Sequence, residues 1–71
     1  MENIGEELRI RRLLKKLTQT EVSKSAGITQ IAISNIERGL HNPTPRTIAR
    51  IRHAIDKLPA KEVKNDVKTT E

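Results

Sequence analysis

The amino-acid sequence predicts a single all-α domain, a compact bundle of four to five short helices, and three observations carry that reading. Apolar residues recur at steps of three and four, and no alternating run is long enough for a sheet strand. Threonine, proline and glycine fall where helix starts and stops need them. The 71 residues include 24 apolar ones, enough for one small core and too few for a second domain.

The first helix is expected over residues 4–17. Ile4, Leu8 and Arg12 lie at steps of four and share a face, with Leu13 and Leu17 beside them. Arg9, Arg11, Lys15 and Lys16 sit late in the segment, where cations suit the helix dipole. Thr18-Gln19-Thr20-Glu21 has the spacing of a capping box, so a second helix starts there. Val22 and Ala26 form its apolar stripe, and Gly27 supplies the positive φ that ends it. Thr29 offers a fresh N-cap for a third helix from Gln30 to about Arg38, with Ile33 and Ile36 inward and Gly39 as its stop.

Leu40-His41-Asn42-Pro43 has no periodicity and reads as a loop. Thr44-Pro45 then pairs an N-cap with a proline at the first helical position, where its missing N–H costs nothing. The fourth helix carries the stripe Ile48, Ile51, Ile55 and Leu58, and Pro59 terminates it. Ala60 to Val63 are expected to add about one helical turn. Residues 64–71 mix charges and threonines around a lone Val67 and read as a disordered tail, which sets the domain at 4–63.

Composition excludes several chemistries. Without cysteine there is no disulfide, thiol nucleophile or thiolate metal site, and His41 and His53 alone cannot build a zinc centre, so no metal and no cofactor are expected. Gly5, Gly27 and Gly39 form no phosphate-cradling loop, and no nucleophile elbow or zinc-protease motif occurs, so no enzyme is expected. The longest apolar run is three residues, and residues 1–16 lack the apolar stretch of a signal peptide. A cytoplasmic location without a membrane partner is expected.

Charge points the other way, toward a ligand. Residues 4–58 hold eleven Lys/Arg against five Asp/Glu, a net of +6, whereas 59–71 are balanced. A basic field favours polyanions, and the absence of Trp, Tyr and Phe argues against base-stacking single-strand binding. Double-stranded nucleic acid is the partner that fits.

Two short helices joined by a three-residue glycine turn match a helix-turn-helix, whose second helix is presented to the major groove. Ile33, Ile36 and Glu37 take the inward face of helix three. Thr29, Gln30, Ile31, Ser34 and Asn35 lie near its start or on the other side, as candidate base readers. Gln30 and Asn35 suit adenine, Ile31 suits a thymine methyl, and Thr29 suits cap, phosphate or base; each also fits an exposed polar face. Arg46, in the first turn of helix four, opposes the helix dipole unless an anion sits there, and with Arg9 and Lys15 it is a candidate phosphate contact.

Residues 19–43, QTEVSKSAGITQIAISNIERGLHNP, resemble the lambda-repressor-like or XRE family of bacterial and phage regulators. The resemblance rests on Gln19, Val22, Gly27-Ile28, Ile33-Ser34, Ile36-Glu37, Gly39 and Pro43, and extends to Ile4-Gly5, Leu8-Arg9, Arg12, Thr47-Ile48 and Ala54. It implies helix three in the major groove, with Gln19 at a phosphate and buttressing Gln30. It also implies a transcriptional regulator of the small repressor kind. A protein-interaction module of the same fold, an anti-repressor or antitoxin, is the alternative. Ser23 stands where the family usually has alanine, and Lys16 where it commonly has glycine.

Arg12 interrupts the Ile4/Leu8 stripe and Glu37 extends the Ile33/Ile36 stripe, so each buries an unpaired charge unless they meet. A buried ion pair between them is expected, as the resemblance also implies. The family's fifth helix is shortened here to 59–63, so self-association or pairing with a second regulator is expected to be weak, through Leu58 and Val63, with Leu14 and Leu40 as further exposed apolar candidates.

Overall fold

Caps decide where the helices begin. The computed structural model describes residues 3–61 and contains α1 (Ile4–Leu14), α2 (Gln19–Ala26), α3 (Gln30–Glu37) and α4 (Pro45–Lys57). The Asn3 side chain accepts from the Glu6 N–H at 3.1 Å and starts α1. At α2 both halves of the capping box form: Thr18 Oγ1 accepts from the Glu21 N–H at 3.1 Å, and Glu21 Oε1 accepts from the Thr18 N–H at 2.8 Å. Thr29 and Thr44 cap α3 and α4 through their hydroxyls alone, accepting from the Ala32 and Thr47 N–H groups at 3.1 and 3.2 Å, with Pro45 opening α4.

The first helix ends at Leu14, three residues earlier than its periodicity predicts. Lys15 is its C-cap and Lys16 takes a left-handed conformation, φ 61°. The Lys16 N–H donates to Leu13 O at 3.0 Å and the Leu17 N–H to Arg12 O at 3.1 Å, the bond pair of a Schellman motif. The end of α3 repeats that pair with Gly39 at the left-handed position, φ 77°. Glycine adopts this conformation freely, whereas a lysine is strained by roughly 1–2 kcal/mol. The turn swings Leu17 into the core and leaves Leu13, expected beside it, on the surface.

Leu8, Leu17, Val22, Ala26, Ile33, Ile36, Ile51, Ala54 and Ile55 make the core, with Ile4, Ile28 and Leu58 packed against it half-buried. Ser23 is buried with them, its hydroxyl donating to Thr20 O at 2.9 Å, which satisfies the extra polar atom where alanine would carry none. Helix α2 packs on both α3 and α4, and α1 crosses the same pair. At the α1 crossing Gly5 sits so close that a Cβ there would collide with the Ile36 carbonyl. Glu7 on α1 accepts two bonds from Arg52 on α4, at 3.0 and 3.1 Å, and ties those helices on the surface.

Beyond Leu58, Pro59, Ala60 and Lys61 are not helical, and the second half of the turn expected over 60–63 lies outside the described residues. The Lys61 N–H donates to Lys15 O at 3.0 Å and its ammonium pairs with Glu21 at 2.8 Å, so the segment is strapped along the α1–α2 junction. Val63 and the tail at 64–71 lie outside the described residues.

Candidate nucleic-acid interface

The start of α3 is tied to the centre of the molecule by a continuous chain of hydrogen bonds. Arg12 and Glu37, each only 8% exposed, meet in a bidentate pair at 2.8 and 2.9 Å. Arg12 Nη1 also donates to Leu17 O at 2.8 Å, which locks the turn between α1 and α2. Glu37 Oε1 accepts a further bond from Gln19 Nε2 at 3.0 Å, and Gln19 Oε1 accepts from Gln30 Nε2 at 3.0 Å.

Direction follows from chemistry. An ionised carboxylate only accepts, so Glu37 turns the Gln19 amide nitrogen toward itself and leaves the Gln19 oxygen for Gln30. Gln30 therefore keeps its own oxygen and one N–H for a ligand, the acceptor and donor that an adenine edge requires. The link from Gln19 to Glu37 had no sequence signal of its own. Its trace was that a carboxylate has room for more donors than one guanidinium supplies.

Around Gln30 the outward row of α3 is in place. Thr29, Gln30 and Ile31 are exposed, and Ser34 and Asn35 are half-buried one turn on. Ile31 is 71% exposed, an apolar side chain at the front of an otherwise polar face. Arg46 is exposed in the first turn of α4, where no acidic residue answers the helix dipole, and Arg9 is exposed on α1. A cleft lined by Arg12, Lys16, Thr18, Gln19, Thr20 and Gln30, among others, opens beside the starts of α2 and α3.

Two expected surface residues are used elsewhere. Lys15, read as a phosphate contact, turns to the far side and donates to Ile55 O, Asp56 O and Leu58 O at 2.7, 3.1 and 2.8 Å. Its three N–H donors are thereby filled by the orphan carbonyls at the end of α4. Leu58, read as a partner contact, is half-buried against the core and has little surface left. Leu14 and Leu40 do remain exposed, at 77% and 66%, and Ile10 and Leu13 join Leu14 on α1.

Among the described residues no His, Asp or Glu cluster could hold a metal ion, and no helix is long and apolar enough to cross a membrane.

A small helical domain that presents one short helix on a two-helix support, with its polar row outward, is a helix-turn-helix domain. A helix-turn-helix family model matches residues 8–62, and the chain belongs to that family. The resemblance carried by residues 19–43 thus holds at family level. Over 55 residues the chain is 38% identical to an uncharacterized HTH-type transcriptional regulator, y4dL, of Sinorhizobium fredii, a match covering 78% of this chain and 28% of that protein. It is also 38% identical over 60 residues to the HTH-type transcriptional repressor RghR of Bacillus subtilis, covering 83% of this chain and 44% of that one. The chain spans less than half the length of these two relatives. Among solved structures, the restriction-modification controller protein C.AhdI from Aeromonas hydrophila matches with a TM-score of 0.73 at 28% identity, over 76% of this chain and 82% of that one.

Proposed function

We propose that this chain binds double-stranded DNA in a sequence-specific way and regulates transcription, with α3 reading the major groove. The observation that carries the reading is the bond chain from Arg12 through Glu37 and Gln19 to Gln30, which holds one amide at the start of α3 in the orientation a base edge needs. Thr29, Ile31, Ser34 and Asn35 complete the base-reading row, Ile31 against a thymine methyl. Gln19, Arg9 and Arg46 take phosphates, the last beside the N-terminus of α4. The names of the relatives, a transcriptional regulator and a transcriptional repressor, support the regulatory role. A domain of this size reads only a few base pairs, so a second copy or another regulator supplies the other half-site, roughly 34 Å away along the duplex. This role places the protein in the cytoplasm and involves no catalysis.

The test starts from a duplex selected out of a random library by the purified chain. Gln30→Ala should cost about 1–3 kcal/mol on that site and relax preference at one base pair, whereas Arg46→Ala should weaken selected and random duplexes alike. Equal losses on both duplexes for Gln30→Ala would remove it from the base-reading row.

A further inference from the structure

Lys15 and Lys16 are neighbours in sequence that the left-handed turn sends in different directions. Lys15 is consumed by the carbonyls at the end of α4. Lys16 is exposed and lines the cleft beside the starts of α2 and α3, together with Thr18, Gln19, Thr20 and Gln30. The other cation of that cleft, Arg12, is committed to Glu37 and Leu17 O. No ion pair or hydrogen bond holds the Lys16 ammonium among the described residues.

We infer that Lys16 is a DNA-phosphate contact, carried to the rim of this cleft by a turn that a lysine adopts only under strain. The observation behind it is a mismatch of residue and conformation. Lys16 stands at φ 61° in the same motif that Gly39 fills at φ 77°, and strained conformations are retained where the surrounding structure or the function requires them. Lys16 is exposed at the rim of the cleft, and a polyanion over Gln30 and Gln19 would bring a phosphate across that cleft. The inference rests on the DNA-binding reading and adds to it a contact that replaces the one expected of Lys15.

Lys16→Gly separates the two roles because they pull in opposite directions. Relief of the backbone should raise Tm by about 4 °C. Loss of the contact should lower affinity for a mixed-sequence 30-base-pair duplex about 5- to 10-fold near 0.1 M salt. It should also flatten the dependence of log K on log salt by about 0.9. Lys16→Asn should behave like Lys16→Gly, and Lys16→Arg should keep both the wild-type affinity and slope. A Lys16→Gly chain that melts higher and binds with an unchanged slope would overturn the inference and leave the DNA-binding reading standing. A wild-type chain that binds no duplex even at low salt would overturn both.

Discussion

Arg12 occupies the position on α1 where an apolar side chain would complete the Ile4/Leu8 stripe, and its burial is tolerable only because Glu37 meets it with two short bonds. Removing one member strands the other charge among apolar neighbours. Arg12→Ala and Glu37→Gln should each destabilise by on the order of 3–5 kcal/mol, a large share of what so small a domain has, readable in a urea or thermal melt. Melting temperatures equal to wild type would contradict this. Replacing both with apolar residues, Arg12→Met with Glu37→Leu, should recover much of the stability. It would still leave Gln19 without its acceptor, so selectivity at the Gln30 base pair should stay lost while the fold returns.

At the scale of the elements, each of the four helices is closed by a specific device, and α4 relies on another helix for its end. Its last carbonyls are satisfied by Lys15 from the C-cap of α1, across some forty residues of sequence. Lys15→Met keeps the aliphatic stem and removes the donors. It should cost about 1–3 kcal/mol and raise amide hydrogen exchange around residues 55–58, with duplex affinity unchanged. A drop in affinity without fraying would return Lys15 to the DNA-facing set. Leu58, next to those carbonyls, packs on the core. Leu58→Asp should therefore lower the unfolding midpoint and leave the association state alone, and normal stability with altered association would reverse that assignment.

Across the whole molecule, surface carboxylates tie segments that the core does not reach. The Glu7 carboxyl is held below its ordinary pKa first by the hydrogen bond from Arg11 and then by Arg52. The Glu21 carboxyl is lowered first by Lys61 and then by the Thr18 N–H. A carboxyl whose pKa is lower folded than unfolded binds fewer protons in the native state. Its contribution is complete above the ordinary carboxylate range and is lost as pH falls through the lowered native value. Urea midpoints should thus be flat near neutrality and fall below about pH 4.5, the ordinary value. Glu7→Gln and Glu21→Gln should each shallow that fall, and parent-like acid sensitivity in both would place its origin elsewhere. Assembly is governed by the apolar surface that remains. Among the described residues, the large apolar side chains exposed outside the α3 row are Ile10, Leu13 and Leu14 on α1 and Leu40 in the loop, too little for an obligate interface above ~2,000 Å². Sedimentation equilibrium at micromolar concentration should show monomer or weak dimer, and a tight dimer would reject this.

Local chemistry was legible along the chain because a cap needs only its own few residues. Thr18 with Glu21, Thr29, Thr44-Pro45, Gly27 and Gly39 could be placed without knowing what they pack against. Stripes on α3 and α4 were legible for the same reason, since periodicity states which face is inward. The row from Thr29 to Asn35 followed as the remainder. What the sequence by itself could not determine depends on approach from another part of the chain. Leu13, Leu14 and Leu17 extend the period of α1 equally well, and only the contacts of Leu17 and the carbonyl that Arg12 holds decide that the helix stops at Leu14. Lys15 and Lys16 are identical side chains one residue apart. Their opposite uses are set by the end of α4 on one side and by the turn at φ 61° on the other. Only tertiary structure could separate them, because a charge has no periodicity to announce its partner, and its role is fixed by whichever oppositely polarised group folding brings within about 3 Å.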